Sequence, residues 1–126
     1  MSDERVLSER DLETGIARIS LNNPERRNSY DPAMREQLGA YLDDIALDDD
    51  IKVVLLRGEG GVFSTGADMG NAYAWYGDKD AAGSDANGNG EAKRARRPSQ
   101  RRRLSVDRKI FDFYHNFLGY SKVIVA

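Results

Sequence analysis

The sequence predicts an α/β domain, and three stretches carry that expectation. Gly15–Asn22 (GIARISLN) alternates Ile16, Arg18 or Ala17, Ile19 and Leu21, the period of a strand with one buried face. Downstream of Asp31, apolar residues recur three and four apart, which marks one face of a helix. Ile51–Gly58 (IKVVLLRG) then runs four apolar residues together, the pattern of a strand covered on both faces in a parallel sheet. Strand, helix and buried strand in that order read as a βαβ-type unit.

Each element has its own local logic. RVLSERDLE is the expected hairpin partner of the first strand, with Thr14-Gly15 in the turn. NNPERRNSYDP is rich in turn formers and has no period, so it reads as a loop. Asp31 suits a helix N-cap, and Pro32 the first helical position, where its missing N–H has no intrahelical partner. Met34, Leu38, Tyr41, Leu42 and Ile45 form the apolar face, and Asp48-Asp49-Asp50 belongs to the following loop. A long polar and basic loop is expected at about 70–103. A second helix follows from about Leu104 to Leu118, with Gly119 as its stop. Its stripe is Val106, Ile110, Phe113 and Phe117, widened by Phe111, Tyr114 and Leu118. SKVIVA is a last apolar strand.

Bulk properties narrow the function. No run approaches the ~18 apolar residues of a membrane span, so no membrane partner is expected. The start, MSDERVLSERD, resembles neither a secretory signal nor a transit peptide, and a cytoplasmic location is expected. The sequence has no cysteine, which excludes disulfides, thiolate zinc sites and Cys nucleophiles from it. The net charge of −2 conceals an asymmetry: nine Lys/Arg against nineteen Asp/Glu in residues 1–92, then ten against two in 93–126. Such an asymmetry can mark an anion-binding segment.

Chemistry concentrates in VVLLRGEGGVFSTGADMG, residues 53–70, where a buried strand runs into glycines and then small residues and a carboxylate. The segment lacks the Gly-Lys-Ser/Thr of a P-loop, and Glu59 and Gly61 break a dinucleotide fingerprint. Two readings remain. One is a tight turn with Asp68 as a helix cap. In the other, small residues at Thr65, Gly66 and Ala67 let a substrate approach backbone amides, which can stabilise a developing oxyanion.

These residues also carry a resemblance. VVLLRGEGGVFSTGADM is similar to the strand, Gly-x-Gly turn and Phe-small-small-Gly-Ala-Asp-apolar segment of the enoyl-CoA hydratase/isomerase (crotonase) superfamily. GIARISLNNPERRNSYDPAMREQL resembles that family's N-terminal strand, Asn-x-Pro loop and helix, and YSKVIVA its next strand. The resemblance implies a crotonase-like ββα spiral, of which residues 1–126 are the N-terminal part. It implies hydration of a 2-enoyl-CoA, with isomerisation or another crotonase-type reaction (thioester hydrolysis, naphthoyl-CoA ring closure) as the alternative. Coenzyme A enters as part of the substrate, with no separate cofactor and no metal, and the assembly is a homotrimer or hexamer. By this resemblance the Ala67 amide is an oxyanion donor. The Thr65 carbonyl lies near adenine, and Arg26, Arg27, Ser29 and Tyr30 lie along the adenosine and phosphates. Gly66 and Met69 complete the binding segment, and Asp68 supports the loop or lines the pocket. The second oxyanion donor and the catalytic carboxylates of the family lie beyond the segment that VIVA resembles. Asp78, Asp80, Asp85, Asp107 and Asp112 form no acid/base pair in the sequence pattern.

Lys93–Arg103 (KRARRPSQRRR) has three readings: a solvated loop, a contact to coenzyme A phosphate or another subunit, and nucleic-acid binding. The last is the weakest, because Ala, Pro, Ser and Gln interleave the charges and no aromatic residue is there to stack a base. His115 is the sole histidine, and packing or surface exposure is its expected role.

Overall fold

The structure, a computed structural model, describes residues 4–68, 70, 74–76 and 99–126. Four strands form one sheet in the order β1-β2-β3-β4. They are β1 (Val6–Asp11), β2 (Ile16–Leu21), β3 (Val53–Gly58) and β4 (Val123–Val125). β1 runs antiparallel to β2, with Val6 opposite Leu21 and Asp11 opposite Ile16. β2 and β3 are parallel, with Ile16 opposite Val53 and Leu21 opposite Gly58. β4 joins β3 in parallel. The hairpin turn forms as its residues dictate. Gly15 takes φ +72°, where a Cβ is disfavoured. The Asp11 carboxylate accepts the Glu13 and Thr14 amides at 3.0 and 3.3 Å.

The helix α1 (Pro32–Ala46) crosses from β2 to β3 and covers one face of the sheet. Its Met34, Leu38, Leu42 and Ile45 pack against Ala17, Ile19 and Leu21 of β2 and Val54 and Leu56 of β3. The start is fixed twice. The Asp31 carboxylate accepts the Met34 amide at 2.9 Å and pairs with Arg5 at 2.5 Å, which ties the helix to the segment before β1. At the other end, the Asp48 region is loop, and Arg10 reaches Asp44 and Asp48.

Three expectations need adjustment. β3 is buried on one face only: Val54 and Leu56 are enclosed, while Val53 and Leu55 are half-buried, because both described helices lie on the same side. The helix α2 starts at Gln100 and not at Leu104, and runs to Leu118. Ser99 supplies the reason, since its hydroxyl accepts the Arg102 amide at 3.2 Å and arginine is a good helix former. The end of the basic run is therefore helical. Most of the loop expected at 70–103 lies outside the described residues, but Ala74–Tyr76 form a short 3-10 turn against α2. Third, the stripe of α2 is narrower than its composition implies. Phe113 and Phe117 lean on the core, whereas Phe111 and Leu118 are 64% and 84% exposed. Gly119 ends the helix as expected.

Burial alone would raise the Asp31 carboxyl, but the Met34 amide and the Arg5 guanidinium outweigh it and hold it below its ordinary 3.8. A depressed carboxylate stabilises the fold above its unfolded value, and that contribution fades as pH falls below it. Asp31→Ala should cost about 1 kcal/mol at neutral pH, read from urea unfolding, since the cap is lost. Asp31→Asn keeps an acceptor for the cap, so it should cost less and show a shallower loss of stability in acid.

Candidate functional site

Two loops meet at the C-terminal ends of β2 and β3, and one side chain joins them. Asn28 is fully buried. Its Nδ2 donates to the Glu59 carbonyl at 2.8 Å and the Val62 carbonyl at 2.6 Å, and its Oδ1 accepts the Asn23 amide at 2.8 Å. Arg27 and Asn28 both take left-handed φ values, 53° and 56°, and so turn the chain sharply enough to aim that amide inward. Asn23 adds a bond from its Nδ2 to the Ser29 carbonyl at 3.2 Å. Gly58 leaves the necessary gap. A Cβ there would lie 2.5 Å from the Phe63 carbonyl oxygen and 2.7 Å from Asn28 Nδ2, and would also strike the Val62 carbonyl.

The loop after β3 then runs beside residues 27–30. The Thr65 amide donates to the Arg27 carbonyl at 3.2 Å, and the Ser64 hydroxyl to the Asn28 carbonyl at 2.7 Å. The Ser64 oxygen also accepts the Gly66 amide at 3.1 Å. Tyr30 and Ala67 form a parallel bridge. In that bridge the Tyr30 amide donates to the Gly66 carbonyl at 3.0 Å, and the Asp68 amide to the Tyr30 carbonyl at 2.8 Å. A parallel bridge uses the residues on either side of its partner, not the partner itself. The amides of Thr65, Gly66 and Asp68 are thus engaged, and that of Ala67 makes no hydrogen bond among the described residues. Gly66 at φ +92° sets up this alternation.

The expected site residues fall into three groups. Thr65, Gly66, Ala67 and Asp68 are brought together on one loop. Asp68 braces it, pairing with Arg26 at 2.7 Å and accepting the Gly70 amide at 3.1 Å. Arg26 and Arg27 are exposed beside it. Ser29 is buried, and the Tyr30 hydroxyl turns to α2, where it meets the Tyr114 hydroxyl at 2.5 Å. Burial, with help from Tyr114, pushes the Tyr30 phenol up to about 12, so it is protonated at neutral pH. Met69 lies outside the described residues, as do Asp78, Asp80 and Asp85. Asp107 accepts the Tyr76 hydroxyl at 3.1 Å and Asp112 is exposed, and neither joins an acid/base pair among the described residues.

One residue escapes a reading of apolar periodicity. Arg35 is 6% exposed, and its Nη1 is buried with no hydrogen-bond partner among the described residues. It borders an apolar cavity of about 300 Å³ between α1 and α2, alongside Tyr30, Leu38, Phe63 and Phe113. Its position three before Leu38 and seven before Leu42 places it on the apolar stripe, which was the available signal.

Asn28→Ala should lower the stability of the intact protein by about 1–3 kcal/mol or more, because several buried groups lose their partner at once. Gly58→Ala should destabilise it by about 1–3 kcal/mol through overpacking, although it removes no contact. Thermal unfolding of both variants checks this; an unchanged midpoint for either would contradict the joint between the loops.

The model of the enoyl-CoA hydratase/isomerase family matches residues 11–93. The 1,2-epoxyphenylacetyl-CoA isomerase of Escherichia coli is 40% identical over 58 residues, 46% of this chain and 22% of the relative. The human mitochondrial enoyl-CoA hydratase domain-containing protein 3 is 40% identical over 68 residues, 54% of this chain and 22% of the relative. The matched stretch therefore spans about a fifth of the length of these curated relatives. Among solved structures, an enoyl-CoA hydratase/isomerase from Xanthobacter autotrophicus Py2 superposes with a TM-score of 0.69 at 29% identity, over 95% of this chain and 36% of that one. Another, from Marinobacter aquaeolei, gives 0.65 at 25% identity, over 96% and 39%. Sheet, helices and loop motif agree with these matches: the chain belongs to the enoyl-CoA hydratase/isomerase family and forms the N-terminal part of its crotonase fold.

Proposed function

We propose that this chain supplies the thioester-activating part of an acyl-CoA enzyme that adds water to a 2-enoyl-CoA. The observation that carries the reading is the Ala67 amide, left over by the bridge to Tyr30 while the Thr65, Gly66 and Asp68 amides around it are engaged. A thioester enolate places negative charge on oxygen, and a fixed N–H aimed at that oxygen lowers the barrier. Removing one such donor costs about 2.7–4 kcal/mol. The amide is preorganised, since Asn28, Ser64 and the Arg26–Asp68 pair hold the loop before any substrate arrives.

Other features support the same ligand. The Thr65 carbonyl accepts no hydrogen bond among the described residues and is available to an adenine amino group. Arg26 and Arg27 are exposed next to it and suit the phosphates of coenzyme A. Phe63 and Ser64 of the same loop border the apolar cavity, which offers room for an acyl group. The family's general acid and base are expected outside the segments that this chain matches, and a homotrimer or hexamer is part of this reading. Isomerisation of an acyl-CoA is the second reading, favoured by the likeness to a relative named 1,2-epoxyphenylacetyl-CoA isomerase.

Loss of crotonyl-CoA absorbance on hydration tests the assignment in the intact protein. Ala67→Pro deletes the amide and should cut kcat about 10²–10³-fold. Binding of free coenzyme A, measured by calorimetry, should change little. Turnover at the parent rate in that variant would sink the assignment.

A further inference from the structure

The basic run lacks aromatic residues of its own, but the fold supplies them. The turn Ala74–Tyr76 packs against the start of α2, and the two enclose an open groove of about 500 Å³. Trp75 and Tyr76 form one wall, and Arg101, Arg102 and Ser105 of α2 face them. Tyr76 is anchored, since its hydroxyl donates to Asp107 at 3.1 Å. That bond also engages the nearby carboxylate, and no acidic residue among the described residues lines the groove. Arg101 and Arg102 are exposed and make no ion pair among the described residues.

An aromatic wall opposite two guanidinium groups that form no ion pair among the described residues has one natural complement, a flat ring that carries an anion. A base stacks on an indole regardless of its identity, because every base has a π face. The guanidinium fork matches the oxygens of a phosphate. The dipole of α2 adds to the attraction for an anion at that end. The groove shares no residue with the 26–30 and 64–68 loops.

We propose that this groove binds a nucleoside phosphate, with the base on Trp75 and Tyr76 and the phosphate on Arg101 and Arg102. The ligand is either a free mononucleotide or one residue of a single-stranded nucleic acid. The site goes beyond the acyl-CoA reading and stands or falls without it.

Trp75 is the one tryptophan of this sequence and sits in the groove, so its fluorescence reports the site. The intact protein is titrated with AMP, with ribose 5-phosphate, and with a ten-residue oligouridylate at several salt concentrations. AMP should quench saturably, and ribose 5-phosphate, which has no base, should not. The double variant Arg101→Gln/Arg102→Gln should weaken AMP binding about tenfold or more. Trp75→Leu, followed by equilibrium dialysis, should weaken it about tenfold, the size of one stacking contact. An oligouridylate that binds far more tightly than AMP, with an affinity that falls steeply with salt, identifies a strand as the ligand. Equal affinities identify the mononucleotide. Absence of saturable quenching by AMP and oligouridylate alike would overturn the proposal, as would AMP binding that both variants retain.

Discussion

Asn28 is the constraint on which the site depends. A primary amide has two donors and an acceptor with two lone pairs, and burying it without partners is costly. Here both donors go to carbonyls of the loop after β3, and the oxygen takes an amide of the loop after β2. The two loops approach only because Gly58 has no side chain. The cost of two consecutive left-handed residues is offset by three buried hydrogen bonds. Without that joint, Ser64, Thr65 and Gly66 would have no fixed surface to bond against.

From there the order passes outward through backbone groups. Side chains contribute mainly as braces: Ser64 under Gly66, and Arg26 across to Asp68. The chemically useful group is a peptide N–H that the pairing pattern leaves unused. It cannot be titrated away, and it keeps its place through changes in acidity that would alter a carboxylate. The apolar core beneath, from Ile19 to Ile45, holds the strand ends in register and so holds the loops that leave them.

Much of this was legible in the sequence, for local reasons. The strands β2 and β3, the Asp31-Pro32 start of α1 and the Gly119 stop follow from period and capping chemistry. The loop motif and its Gly-Ala-Asp were visible too. What was not legible depends on partners far along the chain. Arg35 has the spacing of the apolar stripe, but its charge reads as surface until α2 closes over it. Trp75 and Arg101 look unrelated until a turn packs on a helix. The half-covered face of β3 shows the same limit. Val53 and Leu55 carry the pattern of a buried strand, but what covers them is not written in that pattern. α2 starts earlier than its charge density implies, because Ser99 caps it and arginine favours helix.

The bridge between Tyr30 and Ala67 gives the segment after β3 an arithmetic. Within the bridge, the Gly66 carbonyl and the Asp68 amide face Tyr30 and the Ala67 amide does not, so the residue that takes the bridging position decides which amide is released. Loss or gain of a single residue there would hand the free N–H to a neighbour and turn Ala67 toward Tyr30. Side-chain identity along this segment is open to drift wherever size permits, but its length is not. The chemistry of the loop is encoded in register before it is encoded in composition.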